Sequence, residues 1–324
     1  MRAVRYRAFA LVMTALLVCA NLASAQDLPA GARIIEYDSP AVARSLKYTV
    51  LLPDGYAENA RRYPVLYLLH GHTGHHTSWL TYAGLPSDTA TQLQAIVVLA
   101  DGGNGFYTNW NGSTESQPQR WEDAIAQDLV AEVDLRWRTR PERGARAIGG
   151  LSMGGYGAIA IALHHPDRFG FAFSSAGALR FAARARDEIV RGEDDWNRPE
   201  LWSKDEKPPV AIPGFATQRE RTPRGRVFVT VEHADAADPS VIATRIDPAT
   251  APFLHLDCGL QDGLLPETLA LADALRTRGL AHALVLLPGD HDTPYWRDAF
   301  AHTRLSLQQF FDKHATPSDT GTRP

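Results

Sequence analysis

Eight short apolar runs punctuate the chain at intervals that suit strands separated by helices. They are "RIIEY" (33–37), "KYTVLL" (47–52), "PVLYLLH" (64–70), "AIVVLA" (95–100), "RAIGG" (146–150), "FGFAFSS" (169–175), "PFLHLDC" (252–258) and "HALVLLP" (282–288). From the third onward many runs are continuous rather than alternating, the pattern of a parallel sheet covered on both faces. Between the runs the period changes. "RWEDAIAQDLVAEVDLRWR" sets Trp121, Ile125, Leu129, Val133 and Trp137 four apart as one buried helical stripe. "PETLALADALRTRG" starts a helix at Pro266 and ends it before Gly279, and "YWRDAFAHTRLSLQQFF" aligns Trp296, Phe300, Leu307 and Phe311. This alternation predicts one α/β domain over residues 26–314, with an open, mostly parallel central sheet and helices on both faces. The rhythm breaks across residues 181–250, where the charged, proline-rich "RGEDDWNRPELWSKDEKPP" lies. That interval reads as an insertion over the sheet edge, before the seventh strand, serving either as a cap or as a surface excursion.

Composition narrows the class. At 324 residues, 44% hydrophobic and 22% charged, the chain is long enough for one large globular α/β domain. Its first residues stand apart: Arg2, Arg5 and Arg7 precede an apolar run that closes on Ala23-Ser24-Ala25, just before Gln26. This is the layout of a cleavable secretory signal over residues 1–25, which predicts a secreted or periplasmic protein. The apolar run is short for a bilayer span, so no stable membrane insertion is expected after cleavage. Cleavage would also remove three arginines and no acid from a chain with 33 basic and 37 acidic residues, leaving no basic block for nucleic acid. Cys258 would be the single remaining cysteine, so no internal disulfide is expected. The tail "ATPSDTGTRP" (315–324) has the composition of a disordered segment.

The most specific chemical signal is "AIGGLSMGGYGA", which holds G-x-S-x-G as Gly150-Leu151-Ser152-Met153-Gly154 between a strand and a helix pattern. In such a tight turn, side chains two before and two after the serine would collide, and glycine stands at both places. The turn thrusts the serine hydroxyl out over the sheet. That hydroxyl needs a base to become a nucleophile, and in this architecture acid and base follow in the order Ser, Asp/Glu, His. His291, in "LLPGDHDTPYW" just past the last strand, is the expected base. His164 and His165 lie on the helix after the elbow, His255 inside a strand, His282 at the start of one, His302 in the last helix and His314 near the tail. For the acid, "LHLDCGLQDGLLPET" offers Asp257 at the strand end and Asp262 in the following loop. Asp262 is preferred, because ligand and catalytic groups gather at the carboxyl edge of open α/β sheets. Asp290 and Asp292 are read as loop-forming.

"LLHGHTGHHTSW" (68–79) packs four histidines, His70, His72, His75 and His76, into seven residues. H-x-H-x-x-H-H is close to a zinc-binding pattern, but position 74 is glycine where an aspartate ligand would stand. The loop follows the third strand, whose successor loop supplies one backbone donor of the oxyanion hole in α/β-hydrolases, the second coming from the residue after the nucleophile. Those amides would be His72 and Met153. No metal and no cofactor are called for.

On these residues the chain resembles the putative-esterase family of α/β-hydrolases, which includes S-formylglutathione hydrolases, feruloyl and tributyrin esterases and mycobacterial mycolyltransferases. The matching stretches are "YPVLYLLHGHTG", "DGGNGFYTNW", "IGGLSMGGYGAIAIALHHPDRFGFAFSSAG", "LDCGLQDGL" and "GDHDTPYWRDAF", in the family's order. The resemblance implies Ser152, Asp262 and His291 as a triad and places Tyr107, Asn109 and Trp110 near the substrate mouth. It also implies a serine ester hydrolase acting on a small, carbohydrate or aromatic ester. Acyl transfer to an alcohol, or a non-catalytic binding protein on the same fold, are the alternatives. The 181–250 interval matches the family poorly.

Overall fold

The computed structural model describes residues 28–29, 31–114, 117–201 and 221–315; the expected signal segment and nearly all of the tail lie outside the described residues. Each apolar run forms a strand: β1 (Arg33–Ser39), β2 (Arg44–Leu51), β3 (Val65–Leu69), β4 (Ile96–Ala100), β5 (Arg146–Leu151), β6 (Phe171–Ser175), β7 (Phe253–Gly259) and β8 (His282–Leu287). They make one eight-stranded sheet in the order β1-β2-β4-β3-β5-β6-β7-β8. The pairs β1–β2 and β2–β4 are antiparallel, and every pair from β4 to β8 is parallel. All five residues of β3 and of β4 are buried, which explains why these strands read as unbroken apolar runs.

Alternate residues of the inner strands feed two cores. Val65, Tyr67 and Leu69 of β3 enter one, together with α1, α2 and α6; Leu66 and Leu68 enter the other, together with α7. Here α1 is the continuous helical run Trp121–Asp123, Ala124–Leu129 and Val130–Arg136, α2 is Met153–His164, α6 is Leu265–Thr277 and α7 is Thr293–Lys313. The stripe along α1 runs true for Trp121, Ile125, Leu129 and Val133, all buried. A strict spacing of four drifts round an α-helix by about 40° per step. The stretch Ala124–Leu129 is π-helical, and its wider turn offsets that drift. Trp137 falls beyond the helix end and donates through Nε1 to the Tyr48 hydroxyl.

Within the 181–250 interval the described residues include α3 (Phe181–Arg191), α4 (Val231–Ala237) and α5 (Pro239–Arg245). Helix α4 packs on α3, and α5 on α2 and α6. Phe181, Ala182, Ala185, Phe228, Ala234 and Ala243 join the first core. The alanines among them allow close helix contact, a signal hidden by the charged residues around them. Among the described residues no helix is long and apolar enough to cross a membrane.

One buried carboxyl ties the second layer together. Asp257 on β7 accepts from Ser175 of β6 at 2.6 Å and from Tyr295 of α7 at 2.9 Å, with Thr303 of α7 at 3.4 Å. Burial pushes its pKa up to about 6, against the opposing pull of those hydroxyl donors. A carboxyl whose folded pKa exceeds its unfolded one, near 4, binds its proton more tightly in the native state. Its contribution is therefore fully present below pH 4 and is lost as pH rises to about 6. Asp257→Asn is expected to flatten that part of the stability–pH curve, an effect on the order of 2–3 kcal/mol at most. Urea denaturation at several pH values from 4 to 7 measures it; equal pH slopes in the two proteins would refute this account.

Candidate active site

Ser152 stands between β5 and α2 with φ 54° and ψ −119°, a conformation that L-residues rarely adopt. The surroundings hold it there: its N–H donates to the Ser175 carbonyl at 3.0 Å, and its carbonyl accepts from Ala178 at 3.0 Å. The glycine requirement is steric. A Cβ on Gly150 would stand 2.2 Å from the Gly154 carbonyl oxygen, and one on Gly154 would stand 2.3 Å from that of Leu69 in β3. The elbow therefore lies directly against the neighbouring strand, and the next loop passes close by. A Cβ on Gly71 would come within 3.3 Å of the Ser152 Cβ.

His291 Nε2 is 3.0 Å from Ser152 Oγ, and its Nδ1 is 2.7 Å from Asp262 Oδ2. An ionised carboxylate only accepts, so Nδ1 carries the hydrogen and Nε2 is left to accept from the serine hydroxyl. The other oxygen of Asp262 accepts from the Leu264 amide at 2.8 Å. The two loops that carry acid and base are laced together. Leu260 N–H donates to Leu287, Gln261 N–H to Gly289, and Gly289 N–H to the Gln261 side chain. Asp292 caps α7 by accepting from Tyr295, and Asp290 accepts from the His291 amide. Asp257, the other acid weighed from sequence, is engaged with Ser175, Tyr295 and Thr303 instead. Among the other histidines, His164 and His165 both meet the carboxylate of Glu122, His255 bonds Ser306, and His282 bonds the Leu280 carbonyl.

A cavity of about 170 Å³ opens beside Ser152, walled by His72, Thr73, Tyr82, Leu151, His291 and Trp296 among others. The Trp296 ring stands edge-on to His291 at 5.1 Å and tilts against Tyr82 at 5.5 Å. The sequence pattern marks neither aromatic as a site residue. Trp296 read as one member of the core stripe of the last helix; its place in the first turn after His291 is the signal that puts it at the sheet's carboxyl edge.

Tyr107, Asn109 and Trp110 are not among the residues lining this cavity. Tyr107 is fully buried, donates its hydroxyl to the His70 carbonyl at 3.1 Å, and fills the space that side chains on Gly102 and Gly157 would need. Trp110 is buried and donates to the Gly105 carbonyl; Asn109 accepts from the Asp123 amide. The family resemblance sets these three near the substrate mouth; their polar atoms named above are engaged within the protein.

The histidine loop turns its rings to separate protein partners. His70 Nδ1 donates to the Gly71 carbonyl while its Nε2 accepts from the Gly102 amide. His76 pairs with Thr49 at 2.8 Å, and His75 with Thr77 at 3.0 Å. Burial lowers His72 and His76 to about 4 and His75 to about 3, against the opposing pull of Asp101 on His75 and His76, so these rings are uncharged at neutral pH. His72 lines the cavity, and Met153 is the first residue of α2, where a backbone amide lacks a partner within the helix.

A serine on a strand-to-helix elbow, with an aspartate and a histidine on loops at the carboxyl edge of a mostly parallel eight-stranded sheet, defines an α/β-hydrolase. The chain belongs to the family described as "Putative esterase", whose model matches residues 39–307. It is 35% identical over 143 residues to Esterase Rv1288 of Mycobacterium tuberculosis, covering 44% of this chain and 31% of that protein. The chain thus spans about a third of the length of that curated relative. It is 24% identical to an acetyl esterase of Caldicellulosiruptor saccharolyticus over 73% of this chain and 80% of that one. Among solved structures, the fluorophosphonate-binding serine hydrolase FphF of Staphylococcus aureus aligns with a TM-score of 0.64 at 23% identity, over 86% of this chain and 98% of that chain. At that identity the likeness is one of fold.

The strained backbone at Ser152 has a measurable consequence. Glycine is ordinarily less stable than alanine by roughly 0.5–1 kcal/mol inside regular structure, because it loses more chain entropy on folding. At position 152 the order is expected to reverse, with Ser152→Gly more stable than Ser152→Ala by about 1 kcal/mol. Chemical denaturation of the pair decides; an alanine variant of equal or greater stability would show that the turn carries no strain.

Proposed function

We propose that this protein is an exported serine carboxylic-ester hydrolase working through an acyl-enzyme, a reading carried by the hydrogen-bonded chain Ser152–His291–Asp262. Ser152 Oγ attacks the ester carbonyl as His291 Nε2 takes its proton. The oxyanion is received by the amides of Met153 and His72. The tetrahedral adduct collapses, the leaving alcohol takes the proton back from His291, and water then attacks the acyl-enzyme by the same route in reverse. Asp262, buried while His291 is a third exposed, fixes the imidazole tautomer and stabilises its cationic form. The cavity beside Ser152, flanked by Tyr82 and Trp296, suits a short or flat acyl group. Export is supported by the leader pattern at residues 1–25.

Ser152→Ala and His291→Ala are each expected to lower kcat by on the order of 10⁴- to 10⁶-fold with the fold intact, and Asp262→Asn by less. His72→Ala keeps the backbone donor and should remain within roughly tenfold of wild type, whereas His72→Pro removes it and should cost on the order of 10²-fold. Steady-state kinetics on acetyl, butyryl, long-chain, feruloyl and acetylated-sugar esters, with fluorophosphonate labelling of Ser152, tests the reading. A wild-type protein that hydrolyses none of them and takes up no label sinks it.

A further inference from the structure

Arg221 reaches the histidine loop from the 181–250 interval. Its Nη1 donates to the Gly74 carbonyl at 2.6 Å and its Nη2 to Asp101 Oδ1 at 2.9 Å. Guanidinium and carboxylate are both largely buried, at 9% and 13% exposure. Asp101 Oδ1 also accepts from the Gly103 amide at 2.9 Å. The next residue, Thr222, accepts from Asn104 Nδ2 at 2.8 Å, and Asn104 Oδ1 accepts from the Thr73 amide at 3.0 Å. The Thr73–Gly74 segment is thereby held at both ends, its N–H through Asn104 and its carbonyl through Arg221.

What is held there is strained. Thr73 has φ +70°, and a β-branched residue with positive φ is an outlier that persists only where its surroundings impose it. The Thr73 N–H belongs to the same peptide group as the His72 carbonyl, so fixing it fixes the plane on which His72 turns. Relaxation of Thr73 toward negative φ would shift the His72–Thr73 peptide and with it the backbone from which the His72 amide is presented. Arginine suits the task because its planar fork serves two acceptors at once, a carbonyl on one loop and a carboxylate on another. Burial alone would raise the Asp101 carboxyl, but Arg221 opposes burial and holds it well below the usual carboxylate range. The pair therefore stays ionised at neutral pH.

We propose that Arg221, seated on Asp101, is a positioning residue that clamps the strained Thr73–Gly74 turn and so keeps the His72 amide aimed at the developing oxyanion. This rests on the ester-hydrolase reading above and gives part of the 181–250 interval a task in the reaction. A clamp on an oxyanion donor acts on the transition state and leaves ground-state affinity nearly untouched.

The test compares an oxygen ester with its thionoester, whose developing negative charge falls on sulfur, a weak acceptor that draws little on the amides. In Arg221→Ala, kcat for the oxygen ester is expected to fall on the order of 10²-fold, with KM changed less than about threefold. The oxygen-to-thiono rate ratio should fall by a similar factor, added guanidinium should restore part of both, and Arg221→Lys should lie between. Complete fluorophosphonate titration and near-UV circular dichroism count the folded sites. If Arg221→Ala does not fold, Arg221→Lys and Asp101→Asn carry the same ratio measurement. An unchanged ratio in a folded variant, even one slower on both substrates, overturns the clamp alone. A wild type that hydrolyses no ester overturns the ester-hydrolase reading and this inference with it.

Discussion

Everything at this site depends on one steric constraint, the close approach of the β5–α2 elbow to β3. With only hydrogen at Gly150 and Gly154, the first turn of α2 lies against the carbonyls of Leu69 and His70. That contact pushes Ser152 into its unusual backbone conformation and aims the start of the helix at the serine hydroxyl. It also brings the loop after β3 within reach, so the strand that bounds the elbow also delivers the His72 backbone. A Cβ at Gly150 or Gly154 would stand 2.2 or 2.3 Å from a backbone carbonyl oxygen, so the elbow would have to shift.

Around that contact the sheet edge gathers groups from four separate segments. Parallel strands end on the same side, so the loops after β3, β5, β7 and β8 emerge together. The bonds between residues 260–261 and 287–289 turn two of these loops into one unit, which carries Asp262 and His291 at a fixed separation. The acid at the end of β7 itself, Asp257, is one step too deep. Its side chain points into the layer between the sheet and α7, where Tyr295 and Ser175 take it.

The four histidines take their meaning from packing. Each ring that lies under the loop is buried and finds a hydroxyl, an amide or a carbonyl; burial also keeps His72, His75 and His76 uncharged at neutral pH. Neutral imidazole offers both a donor and an acceptor in a flat, compact body. That makes it a suitable filler beneath a backbone that must stay rigid while its outer edge faces a cavity.

The strands, the long helices, the elbow and the Ser-Asp-His order were legible along the chain, because each rests on local chemistry. Unbroken apolar runs record burial on both faces, paired glycines record a turn with no room for Cβ, and a histidine just past the last strand records the sheet's carboxyl edge. That Asp262 rather than Asp257 would meet His291 was legible too, since it depends only on which residue clears the strand. Tyr107, Asn109 and Trp110 could not be placed this way. Only the family resemblance set them near a substrate mouth, and whether an aromatic ring faces solvent or fills the space above two glycines is decided by segments 50 residues farther along, such as Gly157. The same holds for Arg221. Nothing near it in sequence marks it, and it matters only because folding carries it to the Gly74 carbonyl, 147 positions away. Short-range patterns report what a residue's neighbours in the chain demand of it; long-range hydrogen bonds between loops follow from how the layers stack, and only the tertiary structure decided those.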